Sequence, residues 1–329
     1  MLYLHCGWPK TGTKSIQAAL FRQRGPLGNA GFVYPDKWRR QLVPQLADGS
    51  HNGFADLLTA FEDSPSAVDE LREFLAANAD EDVLISSELI ATWVRQPVNH
   101  EVARRFLAAV GEAMPVTCVW TLRRFDELAC SLYLQMISMG IRLPAPVELI
   151  GSVSPKGLFA GMRQMEECVE GVAYVRYRPD GGHNAELLRA FEIPVSLSEA
   201  IVREATDEPR LNPSLTHKQA VALLNVESLS VRAGVALDEE VLREVFNAGE
   251  LEFEGDGPCQ LVDDRVRRGL RERALECALE TGLEYYLRFY EGQEEVDEPS
   301  STFAGTGPEL LDDEDLSRLV EVSSAGVRG

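Results

Sequence analysis

Nothing in this 329-residue chain is long and apolar enough to cross a bilayer, since a spanning helix needs roughly 20 consecutive apolar residues. A secretory leader is not expected either. Met1 to Cys6 is apolar, but no basic segment precedes it, and Gly7-Trp8-Pro9-Lys10 ends the run. Cysteine is scarce and scattered, at Cys6, Cys118, Cys130, Cys168, Cys259 and Cys277. No two form a Cys-x-x-Cys pair, and the five histidines do not gather beside them. That is the pattern of buried thiols in a reducing compartment, not of a disulfide framework or a structural zinc. The expectation from these absences is a cytoplasmic protein without a metal.

Positive charge is also in short supply. Lysine and arginine number 32 against 53 acids, for a formal charge of −21. The last 39 residues, Glu291 to Gly329, hold 11 acids and 2 arginines, so −9 of the −21 lies there and −12 on the rest. Such a surface repels nucleic acid and anionic membrane. A polyanionic ligand would have to be held by local basic residues against the global field.

What the chain does have is an alternation of strand and helix signals. Leu2–Cys6 reads as a buried parallel strand. A loop rich in Gly, Pro and Thr follows, and from Thr13 the apolar residues Ile16, Ala19 and Leu20 recur at helical spacing to about Arg24. Gly31–Pro35 is a short extended piece; Asp82–Glu88, Pro115–Arg124 and Val172–Pro179 are strands. Helices are expected over Asn52–Phe61, Val68–Ala77, His100–Val110, Asp126–Ile137 and Ala185–Phe191. Beyond Pro213 the pattern is helical only, over Thr216–Arg232, Asp238–Phe246 and Val262–Tyr290. This predicts a three-layer α/β/α domain over residues 1–290, with a central, mainly parallel sheet and C-terminal helices. Residues 291–329 read as an acidic, disordered tail, with one short helix over its Leu310–Val322 portion.

Open α/β sheets collect ligands at the carboxyl ends of their strands. Three strands end in polar residues there: Gly7 to Ser15 after the first, Ser86-Ser87-Glu88 after the second, Arg123-Arg124 after the third long one. The first of these, GWPKTGTKS, is almost a Walker A loop. Gly7 and Gly12 have the right separation, but Thr13 follows, and Lys14 comes one place late. A plain glycine turn needs neither two lysines nor the three hydroxyls of Thr11, Thr13 and Ser15, so an anion site is the better reading. A magnesium-dependent triphosphate site fits less well. The lysine is misplaced, and the second strand ends in Ser-Ser-Glu with no aspartate.

The run Pro9-Lys10-Thr11-Gly12-Thr13, with Ser15 nearby, resembles the loop of the sulfotransferases that use 3′-phosphoadenosine 5′-phosphosulfate. Lys14 departs from that pattern, where Thr or Ser is commoner. Arg123 and Ser131, eight apart across a strand-to-helix junction, are similar to the family's second signature, which holds the 3′-phosphate. A guanidinium and a helix-borne hydroxyl suit a group carrying about two charges. LRRFDELACSLYLQ and the segment Arg210–Asn225 also look like bacterial members, and the likeness extends over roughly residues 1 to 230.

The resemblance implies a P-loop-like fold and a metal-independent transfer of a sulfuryl group to an acceptor hydroxyl on a glycan, a lipid or another small molecule. Lys10 would meet the charge on the leaving 5′-phosphate. Thr11, Gly12, Thr13, Lys14 and Ser15 would hold that phosphate by backbone amides and hydroxyls. Glu88 would take the acceptor's proton, as a glutamate in this region does in heparan-type and bacterial members. His5 and His51 are competitors for the proton-accepting role, and Trp8, Trp93 and Tyr133 could line an acceptor pocket. Two other readings stay open at this point: a kinase or nucleotidase using Mg-ATP, and a non-catalytic nucleotide-binding member of the fold.

Overall fold

The computed structural model describes residues 1–8, 10–39, 49–141, 143–152, 154–207, 215–254, 261–290 and 306–326. Pro9 of the loop motif, Cys259, residues 210–214 of the segment Arg210–Asn225 and residues 291–305 of the acidic tail lie outside them.

Five strands form one all-parallel sheet: β1 (Leu2–His5), β2 (Phe32–Val33), β3 (Asp82–Ser86), β4 (Val116–Leu122) and β5 (Gly171–Arg176). Their order is β2-β3-β1-β4-β5. β1 is central, with Leu4 level with Ile85 on one neighbour and Cys118 on the other. Burial on both faces is why its four residues are all apolar or internally paired. The chain crosses over β1 between β3 and β4, so the connections from β1 and β4 leave toward opposite edges of the sheet. That makes the carboxyl ends of β1 and β4 the crevice of the fold.

In chain order the helices of the sheet region are α1 (Thr13–Arg22), α2 (Arg24–Asn29), α3 (Gly53–Asp63), α4 (Asp69–Ala77), α5 (Leu89–Val94) and α6 (His100–Gly111). α7 (Phe125–Ser138) and α8 (Pro146–Ser152) come next, then α9 (Lys156–Glu166), α10 (His183–Ala190) and α11 (Val195–Asp207). The two faces of the sheet are sorted by the alternation of each strand. Tyr3, Leu84, Val119 and Val175 meet Ile16 and Leu20 of α1, Leu187 and Leu188 of α10 and Ile201 of α11. On the other face Leu4 lies among Phe54, Ile90, Val94, Phe106 and Met165 of α3, α5, α6 and α9. A fully buried leucine or phenylalanine contributes about 1.5–3 kcal/mol relative to an exposed one, so these two layers hold the sheet flat-sided and fix where its ends point.

The remaining helices are α12 (His217–Leu224), α13 (Val226–Ala233), α14 (Glu239–Ala248), α15 (Asp264–Thr281), α16 (Glu284–Tyr290) and α17 (Asp313–Gly326). Two long helices expected from the pattern are each broken in two. Asn225 ends α12, its side-chain amide donating to the carbonyls of Val221 and Thr306. Gly282, at φ 72°, ends α15, as a left-handed glycine commonly does. The tail's helix is present as α17.

The chain divides into two compact units. The first comprises residues 1–124, 154–211 and 273–291, and contains the whole sheet. The second comprises residues 125–153, 212–272 and 292–329 and is helical. In it Lys218 pairs with the buried Asp315 at 2.8 Å, and Arg267 with the fully buried Asp126 at 3.1 Å. Among the described residues no helix is long and apolar enough to cross a membrane.

Candidate anion site at the carboxyl end of the sheet

β1 runs out at His5, and the loop that follows is built on backbone conformations that favour small or special residues. Gly12 has φ 69° and Lys10 φ 63°, the second unusual for a residue with a Cβ. Gly7 is fixed by space instead, since a Cβ there would lie 2.6 Å from Thr13 Cγ2. The loop is anchored from below by Trp8, which is fully buried. Trp8 stacks on Phe159 and Tyr286, and its Nε1–H donates to Met162 Sδ at 3.4 Å. Trp8 therefore packs the base of the loop and does not face an acceptor.

Four loop carbonyls are each taken by a side-chain donor. Thr11 Oγ1 donates to Trp8 O at 2.6 Å, Arg123 Nη1 to Lys10 O at 2.6 Å, His183 Nε2 to Thr11 O at 3.1 Å, and Ser15 Oγ to Gly12 O at 3.0 Å. These four bonds hold the shape of the loop, and left-handed residues such as Lys10 and Gly12 are a feature of backbone nests that bind anions. α1 then starts at Thr13 with Gly12 as its N-cap, no side-chain cap and no acid in its first turn. A carboxylate from outside the helix, that of Glu88, lies at this end, accepting from the hydroxyl of the first helical residue, Thr13, at 3.1 Å.

Charged groups converge on this loop from the flanking strands. Glu88, just past β3, accepts a hydrogen bond from Thr13 Oγ1 at 3.1 Å. Arg123, just past β4, lies over the Tyr177 ring at 4.7 Å as well as holding Lys10 O. Burial lowers the pKa of the Lys10 ammonium; Glu88 works against this, while Lys14 and Arg123 add to it. Lysine at the turn, arginine beside it and an open helix end together can hold a compact dianion such as a phosphate or sulfate. Among the described residues no three His, Cys, Asp or Glu side chains gather as a metal cluster would.

The sequence placed Lys10, Thr11, Gly12, Thr13, Lys14, Ser15, Glu88 and Arg123 together, and the first unit brings them to one end of one sheet. Two assignments change in detail. The hydroxyls of Thr13 and Ser15, expected to face a phosphate, instead donate to Glu88 and to Gly12 O. They are close to acceptors inside the protein, and brace the loop. Arg123, expected to reach the far phosphate of a nucleotide, grips the loop backbone. Ser131 is buried on α7 in the second unit.

The competing histidines are core residues. His5 bonds Ser86 Oγ at 2.8 Å and Thr121 Oγ1 at 3.0 Å, and its pKa is lowered by burial to about 3. His51 accepts from Ser86 N and bonds Pro35 O, with its pKa lowered by burial to about 4. Tyr133 is buried in the second unit, its hydroxyl donating to Pro144 O, while Trp93 is half-buried on α5.

Two residues of this site escaped the sequence reading, Tyr177 and His183. They follow β5 in YRPDGGH, and the signal was present: a histidine placed by a Gly-Gly turn at the start of a helix, at the same carboxyl end.

No protein-family model, no curated protein and no solved structure matches the chain.

Proposed function

We propose that the first unit binds 3′-phosphoadenosine 5′-phosphosulfate at the β1 loop and transfers its sulfuryl group to an acceptor hydroxyl. On this reading the sheet is of the P-loop kind. The observation that carries it is the loop itself: four carbonyls bonded to side-chain donors, an α1 terminus with no side-chain cap at Gly12, and Lys10 beside Arg123. A 5′-phosphate fits that donor set, because the loop offers backbone amides and an ammonium.

The chemistry follows from where charge appears. An acceptor oxygen forms a bond to sulfur while the bond from sulfur to the 5′-phosphate oxygen breaks, and the electron pair leaves on that oxygen. The group in flight is close to neutral, so the leaving oxygen is where stabilisation matters. Lys10 and the amides at the start of α1 meet that charge, which leaves no step that requires a divalent cation. Glu88, at the end of the adjacent strand, accepts the proton of the attacking hydroxyl. Thr13, bonded to Glu88, holds the carboxylate in place next to the loop.

Calorimetry with adenosine 3′,5′-bisphosphate in the presence of a chelator tests this directly. Binding is expected without metal, and Lys10→Ala should weaken it by about 3 kcal/mol, roughly a hundredfold. Glu88→Gln should keep binding and lose transfer to hydroxyl acceptors. Binding seen only for ATP with magnesium would replace this reading with a kinase or nucleotidase. Bisphosphate binding without transfer to any acceptor would leave a nucleotide-binding module.

A further inference from the structure

His183 is buried beneath the loop, 3% exposed, and both edges of its ring face a carbonyl. Nε2 is 3.1 Å from Thr11 O, and Nδ1 is 3.0 Å from Arg178 O. A carbonyl only accepts, and a neutral imidazole has one N–H to offer. With that proton on Nε2, Nδ1 is left to accept from Arg178 N at 3.3 Å. A doubly protonated ring would serve both carbonyls at once. The pocket thus accommodates either form, and burial favours the neutral ring.

The charges around it set that balance. Asp180 and Glu186, on the turn and helix of His183 itself, favour protonation, as do the two carbonyls. Burial opposes it and is the largest effect. Glu186 is partly neutralised by Arg178 at 2.6 Å. From the loop side Lys10 adjoins Thr11, and Arg123 lies over Tyr177, whose ring meets that of His183 at 4.9 Å. From β1 the buried His5 is itself held neutral by burial and adds no charge. An anion seated in the loop would add negative charge on the side of the ring where Nε2 meets Thr11 O.

We propose that His183 is a proton-linked positioning residue, which takes up a proton as an anion enters the β1 loop and then holds Thr11 O and Arg178 O together as an imidazolium. The proposal rests on the loop being an anion site, though not on sulfuryl transfer. It predicts that anion affinity rises as pH falls, by up to about tenfold per pH unit where one proton is fully linked. Inorganic sulfate, which does not titrate near neutrality, separates this from protonation of a ligand's own phosphates.

The test is calorimetry of sulfate and of adenosine 3′,5′-bisphosphate in buffers of different ionisation enthalpy, between about pH 8 and pH 6.5. The wild type is expected to take up protons on binding sulfate, and His183→Gln, whose amide still reaches for Thr11 O, to take up none. Equal proton counts in the two proteins overturn the proposal while leaving the anion site standing. No binding of either anion overturns the site, and the proposal with it. Should His183→Gln fail to fold, the ring-proton NMR titration of the wild type decides. A histidine whose pKa rises when bisphosphate is added supports the proposal, and five histidines that all ignore the ligand sink it.

Discussion

The chain starts its helices in two opposite ways. α17 in the second unit opens with Asp313, Glu314 and Asp315, and Asp312 accepts from the amides of Glu314 and Asp315 at 2.9 and 2.8 Å. α14 does the same with Asp238, which accepts from the amides of Glu240 and Val241. α1 in the first unit has a glycine cap and no acid, and the loop before it carries Lys10. An absent cap alone says little, because α9 also begins without a cap or an acid. What sets α1 apart is that its approach is braced by four side chains, two of them, Arg123 and His183, brought from other strands. One kind of terminus answers its own dipole with carboxylates. The other has no acid in its own first turn, and on the proposed reading an anion from outside takes that place.

The contrast extends to what lies underneath. The second unit buries paired charges, Lys218 with Asp315 and Arg267 with Asp126. The first buries histidines held neutral, His5 and His51, both bonded to the Ser86 region behind the loop. Acid should therefore strike the first unit, and the effect is the largest expected. The folded pKa values, about 3 and about 4, lie below the unfolded value near 6.5. Between them the unfolded chain binds more protons, so stability falls as pH drops through about 6.5. At pH 5 the loss is about 2 kcal/mol per histidine. All four tryptophans, Trp8, Trp38, Trp93 and Trp120, belong to the first unit. Urea unfolding followed by tryptophan fluorescence at pH 7 and pH 5 isolates that unit. A midpoint that does not move would mean that these histidines are not held neutral.

The next largest effect comes from giving α1 what α17 has. Ser15→Asp places a carboxylate in the first turn, where it meets the dipole and repels a bound anion. Bisphosphate affinity should fall at least about tenfold. Stability should change by no more than about 0.5 kcal/mol, since the dipole gain offsets the lost bond from Ser15 Oγ to Gly12 O. Calorimetry and thermal unfolding of the same sample read the two quantities. If affinity is unchanged, α1 is no more an anion site than α17.

Much of this was legible in the sequence, because it depends on local chemistry. Short apolar and β-branched runs marked four strands and the extended piece Gly31–Pro35 that holds Phe32–Val33, and a glycine loop between strand and helix marked the candidate site. What escaped depends on tertiary placement. The bond from Ser15 Oγ to Gly12 O is local, three residues back, but nothing local to the loop says that the hydroxyl of Thr13 turns to Glu88, 75 residues away in sequence. Nor does it show that Arg123 grips Lys10 O across 113 residues. His183 carried a local signal, the Gly-Gly turn before its helix, but its partner Thr11 lies 172 positions earlier. The helix breaks at Asn225 and Gly282 were missed differently. Both sit inside apolar periodicity that continues on either side, and only the left-handed glycine and the side-chain bonds of Asn225 stop the helix.

The smallest expected effect tests the other half of the contrast. Asp238→Ala removes the carboxylate that accepts from Glu240 N and Val241 N. It leaves the backbone bond from Asp238 N to Ser323 Oγ in place. Loss of such a cap costs about 1 kcal/mol. The loss should appear in far-ultraviolet dichroism, which sees both units, and be weak or absent in tryptophan fluorescence, which sees the first. Bisphosphate affinity should stay within about twofold, because this carboxylate serves only its own helix. A drop in affinity as large as that from Ser15→Asp would mean that the cap of α14 supports the loop after β1, and the two helix termini would then no longer be independent.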